Sequence, residues 1–324
     1  MNRFIHFILV LGLGLSLTGC QPDSAKEEVA KTPSKVTDSS VENDDRESPP
    51  AKPEEALEAL GASVRRDDRG EVIVVQVRDG KANDDTAKLL EGMAFLKDVQ
   101  LSGEAVTDDS IESINGLTRL KVLKLDATNV SDLGLAKLAA TSSLEQVYLS
   151  GTGITDAGLE HLGALPRLRR LRISDTQVTG GGMRYLKSAS KLANLDVSKT
   201  AVDDVGLASL KEIAALTDLN LYTTLVTDEG LSHVTTMTQL KWLNLDNTKI
   251  TDAGLPKLAR LVNLEFLHLG RTPVSDEGVK HLLGLKKLKR LEVTNTNVTE
   301  EAAQELRESL PQCEILSGLT DKKS

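Results

Sequence analysis

The feature that most constrains this chain is an internal repeat of 24 residues that runs through most of its length. Segments that start at Lys121 and at every twenty-fourth residue up to Lys289 share one pattern. Each begins with two aliphatic residues separated by one polar residue, as in Leu123-x-Leu125. This alternation predicts a short strand with one buried face. Val99-x-Leu101 and Val75-x-Val77 extend the register backwards, so we expect ten units.

A threonine follows each strand at one fixed place, three residues after the second aliphatic position. Stacked turns must satisfy their backbone polar groups internally, and a short hydroxyl side chain repeated at one position can do so. We therefore expect a ladder of threonines along the turns, formed by Thr128, Thr152, Thr176, Thr200, Thr224, Thr248, Thr272 and Thr296.

The motif Ser/Thr-Asp-x-Gly-Leu comes next in most repeats, as in residues 155–159. It predicts a helix start, because the hydroxyl can cap the helix and the aspartate favours the positive end of the helix dipole. The glycine permits close approach of the neighbouring repeat. In one repeat Gly180-Gly181-Gly182 stands in place of Asp-x-Gly, which predicts a weakened helix start and not a nucleotide-binding loop.

The full pattern, L-x-L-x-x-T-x-V/I-T/S-D-x-G-L-x-x-L, resembles the leucine-rich-repeat family in the form common in bacterial surface proteins, over about residues 71–316. Repetition at constant spacing makes this resemblance specific. It implies an α/β fold: a curved solenoid with a parallel sheet on the concave face and short helices on the convex face. It also implies that the concave face binds a partner.

The ends depart from the repeat pattern, as the exposed termini of a solenoid should. Glu54 to Leu60 predicts a short helix, and Ala62 to Arg66 with Val72 to Val77 predicts two strands joined by the turn at residues 67–70. Glu300 to Leu310 predicts a longer amphipathic helix closed by Pro311. We expect an N-terminal cap at 54–70, the solenoid at 71–299, a C-terminal cap at 300–316 and a disordered tail at 317–324.

The first twenty residues predict export. Arg3 precedes an apolar stretch from Phe4 to Leu17, which is too short to span a bilayer comfortably. The following Leu17-Thr18-Gly19-Cys20 resembles the lipobox of bacterial lipoproteins, which implies removal of residues 1–19 and lipidation of Cys20. The alternative is an ordinary secretory signal with an incidental cysteine.

Residues 21–53 contain no aromatic residue and no periodic apolar residue, so burial cannot offset their chain entropy. We expect residues 20–53 to form a lipid-anchored, disordered tether. The only other cysteine is Cys313, so a lipidated Cys20 leaves no disulfide. We interpret Cys313 as a small buried apolar residue.

Strand residues that point away from the aliphatic core form the predicted binding face. Of the six aromatic residues after the signal peptide, Tyr148, Tyr222, Trp242 and Phe266 fall on this face. Exposed aromatic residues beside arginines are typical of a protein-binding hot spot; the alternative is that they pack on one another across strands. Arg172 beside Asp196 predicts a surface ion pair. The candidate partner-binding residues are Tyr148, Arg170, Arg172, Asp218, Tyr222, Trp242, Phe266 and His268.

Other site classes receive little support. The net charge of -9, with 39 basic against 48 acidic residues, argues against nucleic acid. His161, His233 and His281 occupy one helix position in non-adjacent repeats, too far apart to bind one metal. The repeated aspartates could suggest calcium, but each already has a structural role at a helix start: Asp108, Asp132, Asp156, Asp204, Asp228, Asp252 and Asp276. We expect no cofactor and no catalytic set.

These inferences favour a membrane-anchored envelope lipoprotein that acts as a non-catalytic recognition module for a protein, or possibly a glycan, on its concave face. Two alternatives stay open. One is a structural envelope component that packs against identical copies, and the other is an enzyme or enzyme subunit with a site hidden in the loops.

Overall fold

The computed structural model describes residues 52–138 and 141–319, and the structural statements below refer to these residues. The predicted signal peptide, Cys20 and nearly all of the predicted tether lie outside the described residues. No helix in the two described ranges has the length and apolar character needed to cross a bilayer.

The strands of the described ranges form one sheet of twelve, in which spatial order follows chain order. Strands β1 and β2 are antiparallel, and each later pair is parallel. From β2 onwards paired residues are 24 positions apart, as in Leu219 with Leu243. The strands are β1 (Ser63–Arg66), β2 (Val72–Val77), β3 (Asp98–Leu101), β4 (Val122–Lys124), β5 (Gln146–Tyr148), β6 (Arg170–Arg172), β7 (Asn194–Asp196), β8 (Asp218–Asn220), β9 (Trp242–Asn244), β10 (Phe266–His268), β11 (Arg290–Glu292) and β12 (Glu314–Leu316).

Short helices return the chain to the start of the next strand. The α-helices are α1 (Pro53–Ala59), α2 (Asp84–Lys88), α3 (Asp108–Asn115), α4 (Asp132–Lys137), α5 (Asp156–Gly163), α6 (Asp204–Leu210), α7 (Leu231–Val234), α8 (Leu255–Leu258), α9 (Asp276–Val279) and α10 (Glu300–Ser309). Gly180–Ser188 and Lys280–Leu282 are 3₁₀ helices. The alternation of strand and helix is a leucine-rich-repeat solenoid, as the repeat pattern predicts.

The core lies between the sheet and the helices. In each strand from β4 to β11 the middle residue is buried, and its two neighbours are partly or fully exposed. These outward-facing neighbours make a continuous surface on the side of the sheet away from the core, which we call the strand face. Every strand therefore contributes two side chains to this face, and side chains 24 residues apart become neighbours.

Strand β12 corrects the sequence analysis, which expected ten units and placed no strand in the C-terminal cap. It pairs in parallel with β11, with Leu291 opposite Ile315. Because Ile315 lies 24 residues after Leu291, the chain keeps the repeat register for one strand more than expected.

The predicted threonine ladder is confirmed. All eight hydroxyls donate to the carbonyl oxygen three residues earlier, at 2.5 to 2.8 Å. The residue before each threonine has a left-handed backbone, including Ala127 at φ 55° and Thr223 at φ 53°. The hydroxyl thus satisfies a carbonyl group that the sharp turn would otherwise leave without a partner.

The repeated aspartates join one repeat to the next, a role that the sequence analysis missed when it assigned them to the helix dipole. Asp132 is representative: its carboxylate accepts the Thr155 amide at 2.9 Å and the Thr155 hydroxyl at 2.6 Å. The glycine is needed because a Cβ at Gly158 would lie 2.5 Å from Asp132 Oδ1. The same paired contact occurs at Asp84, Asp108, Asp132, Asp156, Asp204, Asp228, Asp252 and Asp276, which together we call the aspartate ladder.

The ladder is interrupted once, at Gly180. The next repeat carries Asp203 where the others have serine or threonine, and this carboxylate accepts the amides of Val205 and Gly206 at 3.1 and 3.3 Å. A Cβ at Gly180 would lie only 1.9 Å from Asp203 Oδ1. The two changes are complementary, because the carboxylate has moved from one side of the repeat boundary to the other. Residues 180–188 form a 3₁₀ helix, in agreement with the predicted weak helix start.

We predict that this exchange can be reversed. Gly180→Asp alone should destabilise the fold by about 2 kcal/mol or more, through a clash and two adjacent carboxylates. Asp203→Thr alone should cost about 1 kcal/mol through a weakened helix cap. The double variant should regain most of the loss, since it recreates the regular contact. Urea unfolding of the four proteins measures the coupling, and additive losses would contradict this account.

Asp84 provides a prediction about pH. Burial opposes its ionisation, but hydrogen bonds from Ser110 and Thr107 outweigh that effect and lower its pKa below the ordinary value of 3.8. A lowered pKa gives stability that is complete above 3.8 and is lost as the pH falls through the folded-state pKa. The melting temperature of Asp84→Asn should therefore lie below wild type at pH 7, and the gap should narrow on acidification to about pH 3. An exposed control, Asp85→Asn, should show no comparable narrowing, and a constant gap for Asp84→Asn would be inconsistent with this role.

Candidate binding surface

A groove of about 300 Å³ crosses the strand face from β5 to β9. Five of the eight candidate residues line it: Tyr148, Arg170, Arg172, Asp218 and Trp242. Its remaining lining residues are Leu171, Asn194, Leu195, Asp196 and Asn220. The regular 24-residue register brings these side chains together, since they come from five consecutive strands.

Trp242 closes one end of the groove. Its ring stacks on Phe266, with 4.8 Å between ring centroids and 4° between ring planes. The cross-strand neighbours of Trp242 are Phe266 on one side and Asp218 on the other. Because Phe266 covers one ring face, the second ring face is directed to the Asp218 side, where Trp242 lines the groove.

This stack changes the expectation of an exposed aromatic cluster. Trp242 and Phe266 are each only partly exposed, so the cross-strand packing alternative describes how they contact one another. The packing holds the tryptophan ring upright on the strand face. A rigid, half-exposed indole is the kind of side chain on which binding hot spots are built.

The groove carries opposite charges that are unpaired within the described residues. Arg170 donates to neutral groups, the Asn194 side-chain oxygen at 3.2 and 3.3 Å and the Tyr148 hydroxyl at 3.5 Å. The Asp218 carboxylate accepts the Thr217 hydroxyl at 2.6 Å. Neither has an oppositely charged group within 4.0 Å in the described ranges. Two strand spacings, about 9.6 Å, separate them. By contrast, Arg172 contacts Asp196 at 3.4 Å, which confirms the predicted ion pair.

A row of Asp and Asn side chains is fixed beside these charges. Asp196, Asn220 and Asn244 each accept the backbone amide two residues later, at 2.9 to 3.1 Å. Because a backbone amide is a donor, the contacting side-chain atom in each asparagine must be oxygen. The amide nitrogens of Asn220 and Asn244 therefore remain available as donors on the strand face.

The strand face also contains a second, self-satisfied cluster. Asp246, expected to point outwards, is 3% exposed because Arg271 reaches back across it. Arg271 Nε donates to Asp246 at 2.9 Å, and its guanidinium lies 5.0 Å from the centre of the Tyr222 ring. The hydrogen bond to Asp246 raises the pKa of Arg271. Tyr222 is thus held by Arg271 and does not line the groove.

His268 belongs to this second cluster as well. Its Nε2 lies 3.3 Å from Glu292 and 3.9 Å from Asp246, and its ring meets Phe266 edge-on with 6.4 Å between centroids. The structure therefore separates the eight candidates: five line the groove, Phe266 supports Trp242 from behind, and Tyr222 and His268 are engaged elsewhere.

Sequence reasoning left Asn194, Asp196 and Asn220 out of the candidate set, although their register positions place them on the strand face. Their periodicity alone could have identified them. Arg271 was also missed, and no sequence pattern points to it, because it is a turn residue that contacts a side chain 25 positions earlier.

Other candidate chemistry is limited in the described residues. No group of three or more His, Cys, Asp or Glu side chains there could hold a metal ion. His161, His233 and His281 lie on three separate helices. Cys313 is buried, as interpreted from the sequence, and burial raises the pKa of its thiol to about 11. The thiol therefore stays protonated and weakly reactive at neutral pH.

Comparison with known proteins supports the fold. A family model described as leucine-rich repeat matches residues 142–163. No curated protein matches the chain. The chain is similar to an internalin (inlF) from Listeria monocytogenes, with 22% identity and a TM-score of 0.57 over 71% of this chain and 63% of the internalin. Internalin C2 from the same species also matches, with 22% identity and a TM-score of 0.49 over 67% of this chain and 85% of that protein.

The chain thus spans somewhat less than two thirds of the first internalin. The likeness to that internalin shows the fold: a leucine-rich-repeat solenoid. It assigns no activity to the groove, so the chemistry of the strand face must be argued from its own residues.

Trp242 offers a direct probe of this geometry, since it is the single tryptophan of the chain. We predict that Phe266→Leu increases quenching of Trp242 fluorescence by acrylamide, because the ring loses its stacking partner. Phe95→Leu is the matched control: Phe95 packs under Arg119, near β3, and its loss should leave quenching unchanged. Equal quenching of wild type and Phe266→Leu, with both folded by circular dichroism, would refute the stack.

Proposed function

We propose that this protein is a non-catalytic recognition module of the bacterial cell envelope, and that its strand face binds a protein partner. In this proposal lipid on Cys20 anchors the chain, and residues 20–53 form a tether to the solenoid. The leucine-rich-repeat fold supports a binding role at the level of fold class. The groove between Arg170 and Trp242 is the observation that carries the proposal for this chain.

The groove has the composition of a protein-binding site. A supported indole ring forms one end, unpaired arginine and aspartate side chains stand about 9.6 Å apart, and fixed amide groups lie between and beside them. Tryptophan and arginine are enriched among residues that dominate binding energy. A charge without a partner on the free surface can be paired in a complex without first breaking an internal contact.

The layout specifies what the partner should present. The free face of Trp242 beside Asp218 suits an arginine or lysine side chain, through a cation–π contact and a charge-assisted hydrogen bond. Arg170 suits a carboxylate, which it can bind with two parallel hydrogen bonds. A partner segment would therefore place a basic and an acidic side chain about 10 Å apart, which matches three residues of extended chain.

The proposal can be tested by affinity capture from envelope extract and culture medium. We compare the wild-type chain with Trp242→Ala/Phe266→Ala and with a matched control, Leu133→Ala/Val205→Ala. The control removes two apolar side chains that are exposed on helices α4 and α6 and absent from the strand face. We expect the groove variant to lose at least tenfold in affinity for the retained partner, and the control to bind like wild type.

Stability must be matched before binding is compared, so each variant is first shown to melt within a few degrees of wild type. Equal retention by both variants would overturn the assignment of the strand face. Concentration-dependent self-association without any retained partner would favour a structural envelope component instead. Retention that glycosidase treatment of the extract abolishes would redirect the proposal to a glycan.

A further inference from the structure

The two lateral edges of the solenoid carry opposite charges. In a sheet of parallel strands, all strand starts lie along one edge and all strand ends along the other. The segments that lead from a helix to the next strand therefore form one edge, and those that lead from a strand to the next helix form the opposite edge. We call these the entry edge and the exit edge.

The entry edge is basic. Its segments are 89–97, 116–121, 138–145, 164–169, 189–193, 211–217, 235–241, 259–265 and 283–289, and they hold twelve Lys or Arg against four Glu, a net charge of +8. All twelve cations are exposed: Lys97, Arg119, Lys121, Arg167, Arg169, Lys191, Lys211, Lys241, Arg260, Lys286, Lys287 and Lys289. This edge stands out because the chain as a whole has a net charge of -9.

The exit edge is acidic, and much of its charge is used internally. Its turns at 102–109, 126–133, 150–157, 174–181, 198–205, 222–229, 246–253 and 270–277 hold fifteen Asp or Glu against three Lys or Arg, a net charge of -12. Most of the aspartate ladder lies here, with its carboxylates bound to the next repeat. The acidic excess therefore belongs to the architecture of the fold.

The entry-edge cations have no equivalent structural role. Within the described residues only Lys121 and Lys289 contact a carboxylate, Glu145 and Glu265 respectively. The other ten of the twelve have no carboxylate oxygen within 4.0 Å there. A row of like charges raises the electrostatic self-energy of the fold. It is more readily understood as a surface for an anionic partner than as a device for stability.

The form of the row favours a membrane surface. Backbone hydrogen bonds connect residues 97, 121, 145, 169, 193, 217, 241, 265 and 289 in one line, and eight strand spacings of about 4.8 Å give it a length of about 38 Å. The entry-edge segments contain one aromatic residue, Phe95, which packs against Arg119. Nucleic-acid sites normally add stacked aromatic side chains to their basic residues. A long row of flexible cations without such platforms suits lipid headgroups.

We propose that the entry edge docks on a bilayer rich in anionic phospholipid. In this orientation the row of cations faces the headgroups, the acidic exit edge faces away, and the strand face stands to the side, open to a partner. The proposal is independent of the strand-face function, because no entry-edge residue lines the groove.

Flotation with lipid vesicles tests the proposal, using the full chain throughout. Vesicles of phosphatidylcholine alone are compared with vesicles that contain about 30% phosphatidylglycerol, and the difference between them isolates the electrostatic part of binding. The test variant, Arg167→Gln/Lys191→Gln/Lys241→Gln, removes three unpaired entry-edge cations. The control, Lys81→Gln/Lys199→Asn/Lys249→Gln, removes the same charge from turns of the exit side.

We expect tighter binding to the anionic vesicles, reversed by about 0.5 M salt. Each cation near an anionic surface contributes about fivefold in partitioning, so the test variant should lose at least tenfold while the control loses much less. Equal loss in both variants would overturn the proposal, since net charge alone would explain it. No preference for anionic vesicles, together with tight binding of the chain to long-chain polyphosphate, would also overturn it and assign the edge to a soluble polyanion. Circular dichroism melts confirm that both variants fold.

Discussion

The contact on which the rest of the structure depends is the paired hydrogen bond from each aspartate to the next repeat. One carboxylate satisfies both the amide and the hydroxyl of a serine or threonine 23 residues later, as Asp228 does for Thr251. Unsatisfied polar groups are costly in a partly buried setting, so each repeat fits its neighbour at one offset. The glycine two residues after each aspartate keeps that space open. The spacing of 24 residues follows from this fit.

A fixed offset has consequences far from the ladder. It aligns side chains into rows along the strand face, so that Arg170, Asn194, Asp218 and Trp242 become consecutive neighbours. It also aligns the segments before and after the strands, which separates charge into a basic and an acidic edge. The groove and the entry edge are thus two products of one register. Changes at single repeats can alter either surface without disturbing the aliphatic core.

Much of this fold is predictable from the sequence, because the repeat copies each local decision many times. The strands, the threonine ladder and the helix starts all follow from one 24-residue pattern. Strand β12 was missed because Pro311 and Cys313 hide its register behind an irregular helix end. The Arg271 and Asp246 contact could not be foreseen, since it joins a turn to a buried position. The basic edge was hidden because net charge adds two opposite edges together, so the expectation that a negative chain lacks a basic face was wrong.

Hydrogen exchange of the ladder amides measures the central claim most directly. Thr155, Thr227 and Thr251 each donate their amide to an aspartate of the preceding repeat, at 2.8 to 2.9 Å. The equivalent amide of Asp203 has no such acceptor, since residue 180 is glycine. Our account predicts slow exchange at the three threonines and much faster exchange at Asp203 in the native protein. Protection of Asp203 equal to that of Thr227, or fast exchange at all four, would contradict the view that aspartates hold the repeats in register.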